Sequence, residues 1–173
     1  MGFFDFTKSK EKNEISGDGS NINTKTAEEI LEEEKEDMIQ GVEELSSTSV
    51  KEVMIPRIDV DFINVDTDFD EVTKKISESG HSRFPVYKES IDNVIGVLYV
   101  KDLIKCYFNK EQPNLEKLIR RAYFVPETKR IDSLLREFKR RHIHIAMAVD
   151  EYGGLSGIVC MEDIIEEIVG DIQ

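Results

Sequence analysis

The sequence predicts an α+β fold of the mixed α/β kind. One β-α-β-β-α unit is used twice, and the two copies pack about a pseudo-twofold axis, with an additional N-terminal helix. Three observations lead there. Gly157-Ile158-Val159-Cys160-Met161-Glu162-Asp163 reads as a buried strand that turns straight into a helix, with Met161, Ile164, Ile165, Ile168 and Val169 on one face of a 3.6-residue period. The same pattern stands 61 positions earlier, Gly96 for Gly157 and Asp102 for Asp163, with Val100, Leu103, Ile104, Tyr107 and Phe108 as the face. Each unit also has too few apolar positions to close a core alone, so the copies are expected to bury their sheets against each other and leave a cleft between them.

In chain order, residues 1–25 are expected to be a disordered tail, because Gly17-Asp18-Gly19-Ser20-Asn21 is a run of turn formers without a period. Phe3, Phe4 and Phe6 lie on that tail, and Phe6 stands where a myristoylation signal requires Ser or Thr. Thr26 and Glu29 form a capping box for an amphipathic helix whose apolar residues Ile30, Leu31, Met38, Val42 and Leu45 pack on the domain. That helix and its linker occupy 26–49. The first unit is assigned to 50–113 and the second to 114–173.

In the first unit, Val50–Met54 is a short helix or turn ended by Pro56. A strand follows at 62–65, then a helix capped near Asp68 and stopped at Gly80. The strand 83–87 contains Pro85, which predicts an edge or a strand start. A loop over 89–93 leads to the strand 94–98 and the helix from Val100 to about Asn109, with Pro113 ending the unit. In the second unit Tyr123-Phe124-Val125 matches the first strand. Thr128 matches Thr67, His142 matches His81, and Ile145–Val149 matches 84–88, all at the same offset of 61.

Bulk properties exclude several classes. A net charge of −13 disfavours nucleic acid and anionic membrane surfaces as partners. Cys106 and Cys160 are too few for a disulfide framework and suit free thiols in a reducing cytosol. No apolar run approaches the roughly 18–20 residues of a membrane span. His142 and His144 alternate on an extended segment and point to opposite faces, which argues against zinc. No phosphate loop, nucleophile elbow or His-Glu-x-x-His motif is present, so no enzyme is expected.

The duplicated strand-to-helix corner is where ligand chemistry concentrates. Asp102 and Asp163 sit in the first turns of their helices. There a carboxylate either complements the helix dipole or accepts hydrogen bonds from a sugar diol, while free amides take a phosphate. Tyr99 and Cys160, the last strand residues, are in reach of ribose or phosphate oxygens. Residues 120–142 hold eight Lys or Arg against three acids. Either they neutralise phosphates at the cleft mouth, or they are a solvated face paired with the acidic N-terminal helix.

Five separated stretches, in order, resemble one family. They are Val53-Met54-Ile55-Pro56-Arg57, Gly80-His81-Ser82-Arg83-Phe84-Pro85-Val86-Tyr87, Gly96–Leu103, Asp150-Glu151-Tyr152-Gly153-Gly154-Leu155-Ser156-Gly157 and Glu162–Gly170. Over about residues 38–173 the chain is similar to the tandem CBS (cystathionine-β-synthase-type) domains of the CorC/HlyC/TlyC family of magnesium and cobalt efflux proteins and haemolysins. The resemblance implies a regulatory module binding an adenine nucleotide (AMP, ADP or ATP, with or without Mg2+) between the units. It implies Asp163 on the ribose, and Cys160 where the family usually has Thr. Asp61, Phe62, Ile63, Ser82, Arg83 and His144 would frame base and phosphates, with Asp102 and Tyr99 at a mirror site that the Tyr99 ring obstructs. It also implies a homodimer, a membrane cation transporter or membrane domain as partner, and a cytoplasmic location at the inner face of the plasma membrane. Family members continue into a C-terminal α/β domain and carry a membrane domain, so transport is expected to reside outside these residues. The rival expectation is a ligand-free dimerisation module.

Overall fold

The computed structural model describes residues 26–109 and 114–170. The expectations for the tail, for Phe3, Phe4 and Phe6, and for Pro113 fall outside them. Helix α1 (Ala27–Glu44) precedes the repeats. The first unit runs α2 (Val50–Val53), β1 (Ile55–Pro56), a 3-10 turn (Arg57–Asp59), β2 (Ile63–Asn64), α3 (Phe69–Ser79), β3 (Arg83–Lys88), β4 (Ser90–Tyr99) and α4 (Val100–Asn109). The second runs α5 (Leu115–Leu118), β5 (Phe124–Pro126), α6 (Ile131–Arg141), β6 (Ile145–Val149), β7 (Leu155–Cys160) and α7 (Met161–Val169).

Local chemistry accounts for the ends of these elements. The Oγ1 of Thr26 accepts from the Glu29 amide at 3.3 Å while the Glu29 carboxylate accepts from the Thr26 amide at 2.8 Å, closing the capping box. Asp68 caps α3, and Gly80 ends it in the left-handed region at φ 70°. His142 ends α6 in the same way at φ 54°. No helix among the described residues is long and apolar enough to cross a membrane.

The strands form two sheets, ordered β2-β3-β4 and β1-β7-β6-β5. β1 belongs to the first repeat along the chain, yet it pairs antiparallel with β7 of the second, Ile55 opposite Ile158 and Pro56 opposite Gly157. The exchange is reciprocal, because Arg120, just past α5, bridges Val97 of β4. Each repeat's lead-in therefore completes the other repeat's sheet. The cores agree. Val50 is fully buried with Val125, Ile131, Leu134, Phe138 and Ile164 of the second unit, and Leu115 is buried with Ile63, Val72, Phe84 and Leu98 of the first. A third cluster, containing Val94, Val97 and Tyr99 with Ile145, Met147 and Ile158, joins the two sheets at the seam.

Four expectations are corrected. The offset of 61 holds for the β4–α4 and β7–α7 corners. Upstream it is 62: Gly80 and His142 are both left-handed caps, and Ile63 pairs Val86 as Val125 pairs Ala148. The cause is one extra residue in the first hairpin, where Val86 faces Gly96 but Ala148 faces Gly157. His142 therefore corresponds to Gly80 and His144 to Ser82. Second, the loop expected over 89–93 is a turn at Glu89, held at φ 65°, and β4 begins at Ser90.

Third, β3 is a central strand despite Pro85. The missing amide is tolerated because Val97, opposite Pro85, directs both its backbone groups to Arg120 (2.8 and 2.9 Å), and β2 begins only opposite Val86. Fourth, α1 does not pack along its length. It meets the body near its C-terminal end, where a Cβ on Gly41 would lie 2.7 Å from the Glu167 carbonyl oxygen, and where Leu45 enters the core. Ile30, Leu31, Met38 and Val42 are exposed. Eighteen residues span about 27 Å at 1.5 Å per residue, twice the length of the nine-residue α7 beneath.

Candidate functional site

A cavity of about 340 Å³ opens at the seam, where β1, the 3-10 turn and the start of β3 face the β7–α7 corner. Ile55, Val60, Pro85 and Ile158 make an apolar wall. The polar side is made by Asp59, Asp61, His81, Ser82 and Arg83 from the first repeat and by Cys160, Glu162 and Asp163 from the second. The wall exists because Gly157 lets β1 lie close. A Cβ there would sit 2.3 Å from the Ile55 carbonyl oxygen. A larger hollow of about 580 Å³ along α1, at Glu36, Ile39 and Glu43, is lined by acids without a basic group and offers nothing to hold an anion.

Asp163 stands in the first turn of α7, and its Oδ2 accepts from the Cys160 amide at 2.6 Å. Burial pushes its carboxyl above the ordinary range. The Cys160 amide partly offsets this, and the Glu162 charge adds to it. Burial, with the Asp163 and Glu162 charges, pushes the Cys160 thiol up to about 12, so it is a small packing group and not a nucleophile. Arg83 donates from Nη1 to Glu162 at 2.9 Å, and its guanidinium lies 5.7 Å from the centre of the Tyr99 ring. The Arg83 Nε is buried and has no partner among the described residues. Asp61 lies 3.4 Å from Lys75 Nζ and 3.8 Å from His81 Nε2.

Of the residues singled out in the sequence, Asp163, Cys160, Asp61, Ser82 and Arg83 meet in this cavity. The rest lie elsewhere. Ile63 is buried in the first unit's core at 2% exposure. Phe62 packs at the seam, its ring 6.3 Å from that of Tyr87. His144 and Asp102 belong to the pseudo-symmetric corner. The His144 carbonyl accepts from the Met161 amide at the β7–α7 corner at 2.9 Å, as the Ser82 carbonyl accepts from the Val100 amide at the β4–α4 corner at 3.0 Å. Asp102 is held by Arg120, from Nε at 2.9 Å and Nη2 at 3.0 Å. Of the basic cluster, Lys129 pairs Glu137 and Arg136 pairs Asp132, while Arg141 covers the Tyr123 ring. None of it lines the open cavity.

Ile55, Asp59, Val60 and Glu162 were not anticipated. The signal for the first three was Gly157 itself: a glycine in a buried strand implies a backbone passing close by, and the passing backbone is β1. Chemically, the cavity offers an apolar slot for a flat ring, a carboxylate beside it for hydroxyl donors, and a half-buried guanidinium with a buried Nε for an anion, rimmed by acids. Among the described residues no cluster of three His, Cys, Asp or Glu could hold a metal ion unaided.

The family model described as "CBS domain" matches residues 50–109 and 115–170. Hemolysin C of Brachyspira hyodysenteriae is 46% identical over 143 residues, which are 83% of this chain and 53% of that protein. The magnesium and cobalt efflux protein CorC of Pasteurella multocida is 42% identical over 146 residues, 84% of this chain and 49% of that one. The chain thus spans about half the length of the curated relatives it matches. Among solved structures, the CBS domain of the bacterial CNNM/CorC family Mg2+ transporter in complex with ATP superposes with a TM-score of 0.74 at 41% identity, covering 80% of this chain and 99% of that one. A CBS-domain pair with bound AMP from Klebsiella pneumoniae gives 0.61 at 31% identity, covering 71% and 99%.

Proposed function

This chain belongs to the CBS-domain family as a tandem pair of the CNNM/CorC kind, and we propose that it is a non-catalytic regulatory module that binds an adenine nucleotide in the seam cavity. The observation behind this reading is the cavity's composition: a buried Arg83 Nε, without a partner among the described residues, and the half-buried Asp163 carboxylate line one cavity with apolar walls. The base lies among Ile55, Val60, Pro85 and Ile158. Asp163 accepts from the ribose hydroxyls through the oxygen that the Cys160 amide leaves free. Ser82, His81 and Arg83 take phosphate, Arg83 exchanging Glu162 for it. Asp59, Asp61 and Glu162 crowd that end with negative charge, which suits a short phosphate chain or one that arrives with Mg2+.

Binding of nucleotide modulates divalent-cation efflux by a membrane domain or transporter partner, the module residing at the cytosolic face of the membrane. It acts as a homodimer. Ile104 and Phe108 on α4, and Ile165 and Val169 on α7, are exposed at matching repeat positions and offer apolar surface to a second copy. The alternative, a dimerisation module without ligand, rests on the same face.

Thermal-shift titration decides between them. AMP, ADP or ATP at about a hundred times its Kd should stabilise the protein by about 2.7 kcal/mol, and Asp163→Ala should abolish the shift. No shift with any nucleotide at millimolar concentration overturns the reading and leaves dimerisation. Light scattering on Ile104→Glu and Ile165→Glu tests that face. A monomer mass for wild type removes the dimer, and an unchanged dimer mass in both variants removes this face.

A further inference from the structure

The two corners are built alike but furnished differently. Across the repeat, Asp102 stands for Asp163, Tyr99 for Cys160, Lys101 for Glu162, His144 for Ser82 and Arg120 for Ile55. In the second corner Arg120 does two things at once. Its guanidinium lies over the Tyr99 ring, 4.4 Å from the centre. Its Nε and Nη2 donate to the two oxygens of Asp102 at 2.9 and 3.0 Å. The backbone cannot drift, because the Arg120 amide donates to the Val97 carbonyl at 2.9 Å and the Val97 amide donates to the Arg120 carbonyl at 2.8 Å. A planar group stacked on the strand-end residue and donors paired with the helix-start carboxylate are the contacts a nucleoside would make there.

We propose that Arg120 is a built-in occupant of a second nucleotide site, so that the chain takes one nucleotide and not two, and that this latent site at Asp102 accepts an adenine nucleotide once the Arg120 side chain is removed. The inference rests on the reading of the open cavity as a nucleotide site. The latent site differs from the open one in charge. Lys101 stands at the position of Glu162, and Tyr123, covered by Arg141 at 4.8 Å, stands at the position of Asp61. Its ligand meets Lys101 where the open site presents Glu162 and has no acidic counterpart of Asp61, so we expect it to bind without Mg2+.

The test is isothermal titration of the full chain with ATP, with and without Mg2+, on wild type, Arg120→Ala and Arg120→Ile. The isoleucine variant reproduces the side chain of Ile55 and keeps a strand-compatible residue should the alanine variant fail to fold. Wild type is expected to bind one equivalent. Either variant is expected to bind two, the second indifferent to Mg2+ and removed by adding Asp102→Asn. Two equivalents on wild type, or one on wild type and still one on both folded variants, overturns the proposal. No binding to wild type with one Asp102-dependent equivalent on the variants refutes the reading of the open cavity and upholds this one. No binding to any of them refutes both.

Discussion

Replacing Gly157 with alanine tests the joint on which the cavity depends. The new Cβ would lie 2.3 Å from the Ile55 carbonyl oxygen, 3.1 Å from the Ile55 carbonyl carbon and 3.2 Å from Met54 Sδ. The first two are backbone atoms of β1, so no rotamer change relieves the overlap and the strand must retreat by about 1 Å to reach ordinary contact. Overpacking of this kind costs about 1–3 kcal/mol. Weakened pairing of β1 with β7 adds about 1 kcal/mol per hydrogen bond. The lower chain entropy of alanine in the unfolded state returns about 0.4–1 kcal/mol. The net expectation is a loss of about 2–3 kcal/mol, or roughly 4–12 °C in Tm for a chain of this size. Urea unfolding measures it, with Gly96→Ala as the internal comparison, since that Cβ meets the Arg120 carbonyl at a less severe 2.8 Å. Because β1 brings Ile55 to the cavity, nucleotide affinity should fall about tenfold in Gly157→Ala, corresponding to about 1.4 kcal/mol. A Gly157→Ala protein within about 0.5 kcal/mol of wild type, in the range of neutral surface changes, refutes the claim that β1 is clamped over this glycine.

Other expectations follow from the same geometry. Cys160, with its thiol pushed up to about 12, should react with iodoacetamide at pH 8 at least ~100-fold more slowly than an ordinary thiol of pKa ~8.5; mass spectrometry showing alkylation at the free-thiol rate would remove it from the buried corner. Glu137 accepts from Lys129 Nζ at 2.8 Å and from the Tyr123 hydroxyl, and these partners hold its carboxyl below the usual range. Its contribution is therefore complete above the unfolded carboxylate value of about 4.3 and disappears as pH falls through the lowered folded value. Glu137→Gln should destabilise at pH 7 and match wild type in acid, and a pH-independent difference would contradict the pairing. Asp163 is shifted in the opposite direction. Nucleotide affinity should therefore begin to fall, on acidification, at a higher pH than an ordinary aspartate would give, and binding that is flat down to pH 4 would exclude its ionised form from the site.

The repeat was legible because its defining residues are local. A glycine, three apolar residues, a corner and an acid at fixed spacing recur, and α3 and α6 follow their apolar periods to a left-handed stop. Across the hairpin the register was not legible. Glu89 is neither Gly nor Asn, so nothing in the residue types announced its positive-φ turn, and the register shifts on either side of Tyr87 in the longer first hairpin leave no residue signature. Pro85 misled for a related reason, since its tolerance depends on Val97 directing its backbone groups to Arg120, a residue 35 positions further along the chain. The corner half of the cavity could be named from Cys160 and Asp163. The half supplied by Ile55, Asp59 and Val60 was signalled only by Gly157, which announces a close backbone without saying which one, because two residues of β1 leave no periodic trace and their partner strand lies a hundred positions away.

The reciprocal lead-ins mean that the gene and the folded object divide in different places. A polypeptide ending after the first repeat would contribute a rim to a sheet it does not contain, while its own sheet went without the stretch around Arg120. One beginning at the second repeat would have an unfinished edge where Ile55 belongs and a hole where Val50 belongs. Each half completes its core only with a lead-in supplied from outside itself.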